Sequence, residues 1–195
     1  KGSHTSEMTA SRKHTSAYPD ASVEFVSGTV EETQAFGERL GRLLQPGDVV
    51  ALFGELGSGK TTLIQGIAHG LGRNPTTIKS PTFVLLREYP GAVPLIHIDG
   101  YRLDGAAAVS WLDLDLIFSP HKITLIEWAE RFAGVLPDHH VDVRLSHVST
   151  NRRRVLMAPS SPRTVELITQ LTTISRQQSA VSNVAEKEDH CSVGD

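Results

Sequence analysis

Cysteine is almost absent from this chain. One residue, Cys191, stands for all 195 positions, so no intramolecular disulfide and no thiolate cluster for a metal can form. That usage fits a reducing compartment, and a cytoplasmic location is the expectation. Long apolar runs are missing as well. Nothing approaches the roughly 18 consecutive apolar residues that read as a membrane-spanning helix, and the N-terminal stretch lacks the hydrophobic segment of a signal peptide, so no membrane role is expected. Positive charge has no surplus: 19 Lys and Arg stand against 22 Asp and Glu, a net charge of −3. A general nucleic-acid binder carries a basic excess, so any contact with RNA should be local. The compact run Arg152-Arg153-Arg154 reads first as a solvated edge or turn and second as an anion contact.

What is present is 39% apolar residues, enough for one real core. Residues 1–21 are polar and aperiodic and are expected to be disordered, with Gly2-Ser3-His4 resembling an expression-vector remnant. Residues 22–175 form the expected folded domain, and 176–195 a polar, flexible tail.

The body alternates between two periods. Val23–Val26 reads as a strand, and Thr29 and Glu32 have capping-box spacing before a helix with Phe36, Leu40, Leu43 and Leu44 on one face. Val49–Phe53 is a strand and Lys60–Leu71 a helix. Thr82–Tyr89 and Leu95–Ile98 read as a hairpin around Pro90–Pro94. Gly105–Ser110 has the look of a helical turn, and Trp111–Leu116 alternates like a strand without deciding the matter. Ile123–Ile126, Val141–Val148 and Arg153–Met157 are further strands, and a last helix begins with Ser161 as N-cap and Pro162 at its first position. This order predicts a layered α/β domain with a largely parallel sheet and antiparallel edge strands, which the glycine-rich loop after Phe53 narrows to a three-layer α/β/α domain of the P-loop NTPase kind.

The stretch GELGSGKTTL, Gly54 to Leu63, sits between a strand and a helix. Gly54, Gly59, Lys60 and Thr61 satisfy the phosphate-loop pattern in its required setting. Glycines let successive backbone N–H groups of Gly54, Glu55, Leu56, Gly57, Ser58 and Gly59 turn inward on phosphate oxygens, and the helix start adds its dipole. In this pattern Lys60 neutralises phosphate, the Thr61 hydroxyl ligates Mg²⁺, and Thr62 supports phosphate or caps locally.

Hydrolysis needs a carboxylate for the metal and a group that orients water, at the carboxyl ends of neighbouring strands. Asp99 and Glu127 each follow an apolar strand. A solvated strand-end acid is the plain alternative for either. Lys79-Ser80-Pro81-Thr82 offers hydroxyls that sense a γ-phosphate or simple turn chemistry. The nine histidines form no helical pair with metal spacing, and His97 reads as a strand residue on the polar face. Tyr101-Arg102 orients the site or is solvated. No Asn-Lys-x-Asp follows the loop, so the guanine-reading element of GTPases is missing, and so is an arginine-rich kinase lid.

The series GELGSGKTT, IKSPTF, HIDGYRL, LIEW and GVLPD, in that order, resembles the TsaE family, formerly YjeE, over about Val23 to Val148. The resemblance implies a weak, Mg²⁺-dependent ATPase that acts with TsaD-like and TsaB-like subunits in threonylcarbamoyl transfer to adenosine 37 of ANN-decoding tRNAs, touching tRNA indirectly. Carried over, it implies ATP and Mg²⁺ as cofactors, Lys60 and Thr61 on phosphate and metal, Ser80 and Thr82 in a nucleotide-responsive loop, Asp99 as the catalytic or water-orienting carboxylate, Glu127 at the Mg²⁺, and Trp128 beside the nucleotide. Two departures stand out: Asp104-Gly105-Ala106-Ala107-Ala108 where the family commonly has paired acids, and Ala129 where proline is frequent. Alternatives are a binding module gated by ATP occupancy and a small-molecule P-loop kinase.

Overall fold

A computed structural model describes residues 18, 21–103 and 109–174. The Gly105–Ser110 turn up to residue 108, the Ala106–Ala108 departure, the tail and all but two residues of the N-terminal segment lie outside the described residues.

In chain order the elements are β1 (Val23–Ser27), α1 (Val30–Leu43), β2 (Val49–Phe53), α2 (Lys60–Gly70), β3 (Leu86–Tyr89), β4 (Leu95–Asp99), the single-turn α3 (Leu114–Ile117), β5 (Ile123–Glu127), β6 (His140–His147) and β7 (Arg153–Pro159). A last helix, α4, covers 162–174. The seven strands form one sheet in the order β1-β7-β6-β2-β5-β4-β3. Its four central strands, β6, β2, β5 and β4, are parallel, while β3, β7 and β1 add on antiparallel to their neighbours. Among the described residues no helix is long and apolar enough to cross a membrane.

Strand alternation sends successive side chains to opposite faces. Val50, Leu52, Leu95 and Leu125 meet Leu63, Ile64 and Ile67 of α2, Leu40 of α1 and Leu167 and Leu171 of α4. Val49, Ala51, Ile96, Ile98 and Ile126 face the other way, onto Val109, Ile117 and Phe132. Regular helices thus cover one face, and short turns cover the other. Each such fully buried aliphatic side chain contributes about 1.5–3 kcal/mol.

The seam between α1 and α2 is unusually close. A Cβ on Gly41 would lie 2.2 Å from the Ile67 carbonyl oxygen, and one on Gly66 2.1 Å from that of Gln34. The two main chains are therefore in contact, which fixes where α2 begins. At the start of α1, Thr29 Oγ1 accepts from the Glu32 N–H at 3.1 Å, and the Glu32 carboxylate accepts from the Gly28 N–H at 2.6 Å. The capping box thus closes one residue earlier than the usual pattern.

Two segments differ from the sequence reading. The strand expected over Thr82–Tyr89 begins only at Leu86. The Pro81 carbonyl accepts from both Val84 and Leu85 N–H groups, and Leu85 stands at φ +67°, so Thr82–Leu85 is a turn. Trp111–Leu116 is not a strand: Asp113 accepts from the Leu116 N–H at 3.0 Å and starts α3 instead. The end of α2 comes at Gly70, one residue short of the expected Leu71.

Candidate functional site

The loop from β2 to α2 depends on glycine at particular positions. Gly54 (φ +138°), Gly57 (+74°) and Gly59 (+102°) all hold backbone conformations unfavourable for other residues. At Gly54 space is closed as well, since a Cβ would meet the Leu145 carbonyl oxygen at 2.2 Å. Gly59 precedes α2 without any side-chain cap, and the first turn holds no acid. Its N–H donors are therefore left to an outside acceptor.

Lys60 is only 4% exposed. Its ammonium donates to the Gly54 and Glu55 carbonyls at 2.7 and 2.8 Å and stands 4.2 Å from the centroid of the Trp128 ring, a favourable cation–π arrangement. Burial pushes its pKa below the usual lysine value, while the carboxylates of Glu127, Glu130 and Asp99 pull it back up. Trp128 holds a left-handed backbone (φ 57°, ψ 47°), which costs a non-glycine residue about 1–2 kcal/mol. Tyr101 packs against its ring at 5.0 Å.

The two strand-end acids are buried, each 3% exposed, and face one another across adjacent strands in register, Asp99 opposite Glu127. The Thr61 hydroxyl lies 2.9 and 3.0 Å from the two Glu127 oxygens. Asp99 accepts from the Thr82 hydroxyl at 2.5 Å, from the Ser80 hydroxyl, and from the Tyr101 N–H at 2.9 Å. The solvated-acid alternative is thereby removed for both residues.

A cavity of about 380 Å³ brings together Leu56, Gly57, Gly59, Lys60, Thr61, Thr62, Ser80, Thr82, Asp99, Glu127 and Trp128, with Tyr101. Gly54, Glu55 and Ser58 are set back from it. The first two present carbonyls to Lys60, and the Ser58 hydroxyl is buried without a partner. Arg102 lies 4.3 Å over the Phe83 ring and outside the cavity. A second cavity, about 360 Å³, lies across the loop and shares Gly57, Gly59 and Thr62, adding Gly28, Thr29, Thr150, Asn151 and Arg153 among others. Of that wall the sequence pointed only to Arg153, through the second reading of the run Arg152-Arg153-Arg154 as an anion contact; the backbone and small polar groups beside it give no signal by residue type. Sequence reasoning misplaced His97, which is fully buried rather than on a polar face and lies 2.9 Å from Glu127 through Nε2.

These groups fit a polyphosphate with a divalent cation. Among the described residues no cluster of three or more His, Cys, Asp or Glu is suited to a metal. Thr61 and Glu127 offer adjacent oxygens, and Mg²⁺ commonly takes one or two protein oxygens and fills its shell with phosphate and water.

Comparison with known proteins gives the family. The chain is 42% identical over 137 residues to the tRNA threonylcarbamoyladenosine biosynthesis protein TsaE of Mycobacterium tuberculosis, covering 65% of this chain and 80% of that one. It is 38% identical over 136 residues to the protein of that name from Treponema pallidum, covering 68% and 98%. The crystal structure of Bacillus subtilis YdiB superposes with a TM-score of 0.67 at 30% identity, covering 79% of this chain and 96% of that one. Residues 27–155 match the family model described as threonylcarbamoyl adenosine biosynthesis protein TsaE, and the chain belongs to that family.

Proposed function

We propose that this chain binds MgATP and hydrolyses it as the ATPase subunit required for threonylcarbamoyl transfer to adenosine 37 of ANN-decoding tRNAs, in the cytoplasm and with TsaD-like and TsaB-like partners. One observation carries the reading: a desolvated lysine, a hydroxyl–carboxylate pair and a second carboxylate converge on one cavity beside an uncapped helix start. In this reading the loop amides and Lys60 take the phosphates, and Thr61 and Glu127 hold Mg²⁺. The metal, when bound, neutralises charge on the phosphoryl oxygens. Asp99 orients the attacking water, and Trp128 flanks the nucleotide. The cavity lined by Thr29, Asn151 and Arg153 receives the remainder of the nucleotide.

Slow turnover in isolation is expected. Among the described residues, none lining the phosphate-side cavity is an arginine, and a missing arginine costs about 10³–10⁵ in rate. Phe83 is 85% exposed beside Thr82, with Val84 also exposed, and large apolar groups in such a place suit a partner surface. Lys60→Ala should reduce phosphate release by at least about a hundredfold, the usual cost of losing one preorganised donor. Undiminished release would refute hydrolysis at this site.

A second reading is favoured by the contacts of Asp99. Both its oxygens are occupied by Ser80, Thr82 and Tyr101, so it also acts as a latch on the 80–82 segment, and nucleotide occupancy alone would gate docking. Asp99→Asn separates the two readings. If tRNA modification by the reconstituted subunits survives while ATP hydrolysis is lost, occupancy suffices; if both are lost with ATP binding intact, chemistry is required.

A further inference from the structure

His97 is entirely buried in the middle of β4, where alternation puts Leu95 and Asp99 on the same face. Its Nε2 lies 2.9 Å from Glu127 Oε1, and its Nδ1 has no partner. Strand register explains the reach: His97 sits opposite Leu125, and Glu127 is two residues further on the same face of β5, a diagonal separation that long side chains bridge. With a carboxylate as the acceptor, the ring presents an N–H at Nε2, and Nδ1 has no partner on its own side. A buried polar atom without a partner calls for a reason, and core packing alone would be served better by leucine.

The reason lies in how Glu127 is held. Among the described residues its side-chain partners are Thr61 and His97. A hydroxyl has a single proton, so Thr61 holds one carboxylate oxygen at a time. A Thr61 hydroxyl that binds a divalent cation through its oxygen keeps that one proton, and the N–H of His97 is the second side-chain donor needed to fix the carboxylate plane.

We propose that His97 is a positioning residue, whose Nε2–H holds the Glu127 carboxylate toward Thr61 and so sets how strongly Mg²⁺ tightens nucleotide binding. This rests on the phosphate–cation reading of the cavity above. Groups that orient a metal ligand from behind are typically worth 10- to 100-fold in metal affinity.

The test is calorimetric titration with a β,γ-methylene ATP analogue, in Mg²⁺ and in EDTA, on the whole chain. The readout is the ratio of the two dissociation constants. His97→Leu should lower that ratio at least tenfold while leaving the EDTA affinity within about twofold. His97→Gln, whose amide nitrogen reaches to the place of Nε2, should keep most of it, and His97→Asn, whose amide stops at the place of Nδ1, should not. A wild-type ratio in His97→Leu would overturn the inference, and so would equal losses in the Gln and Asn variants. Should the Leu variant fail to fold, the Gln and Asn pair decides by the same criterion. A wild-type protein with no Mg²⁺ dependence at all would instead sink the reading of the cavity itself.

Discussion

Trp128 shows how a single residue ties the site together. Its positive φ is an unfavourable conformation for tryptophan, held where the indole can lie against the Lys60 ammonium and Tyr101. Because the ring reads the charge beside it, its emission should report phosphate arriving at Lys60. Trp111, 88% exposed, is the only other tryptophan, and Trp111→Phe leaves Trp128 as a lone probe. Adding MgATP should then change the emission intensity, and the change should vanish when Lys60→Ala is added. Steady-state fluorescence titration checks this. At this scale Lys60, Thr61 and the glycines were legible, because their spacing has one dominant chemical meaning. His97 was not: alternation with Ile96 and Ile98 set it apart from one apolar face, and only the helix packed on the opposite face shows that this side is buried too.

At the scale of elements, the α1–α2 contact separates two kinds of glycine. Gly66→Ala must push its methyl into the Gln34 carbonyl, an overpacking cost of about 1–3 kcal/mol or more. Gly134 meets nothing within 4 Å and has no positive φ, so Gly134→Ala should be neutral or stabilising by up to about 1 kcal/mol. The urea unfolding midpoint should fall for Gly66→Ala and hold or rise for Gly134→Ala. The helix pair itself was readable from apolar spacing, but which glycines lie at the contact depends on the partner helix. Thr82–Leu85 was misread for a related reason. Its residue types favour a strand, yet the Pro81 carbonyl and the Asp99 carboxylate draw it into a turn. Asp113 overrides the alternation of Trp111–Leu116 in the same way, by capping a helical turn.

Across the whole molecule, the end of the sheet remote from the loop carries its own pH dependence. His140 begins β6, with Nδ1 2.6 Å from the Pro137 carbonyl and Nε2 3.1 Å from Asp142, so both ring nitrogens face acceptors. Burial, the largest single influence, draws its pKa down, but hydrogen bonds to Asp142 and Pro137 and the charges of Asp142 and Asp138 outweigh it, leaving a net rise above 6.5. For Asp142 burial pushes upward and is outweighed by His140 and Arg144, leaving a value below 3.8. The histidine's contribution is therefore complete below its unfolded value and fades as pH rises through its higher folded one. The aspartate's contribution is present above its unfolded value and is lost as pH falls through its lower folded one. These are two views of one contact. Unfolding free energy from urea titrations should fall in the wild type as pH rises from about 6.5 through the histidine's higher folded value, and His140→Gln should flatten that fall.

Pairing Val23 with Met157 and Ser27 with Arg153 also bears on the order of events during synthesis. As the nascent chain leaves the ribosome, β1 has nothing to zip against until every other strand of the sheet has been translated. A chain halted after residue 147 would lack β7 and leave β1 with no partner on either side, and limited proteolysis should cut it there while the central strands stay protected.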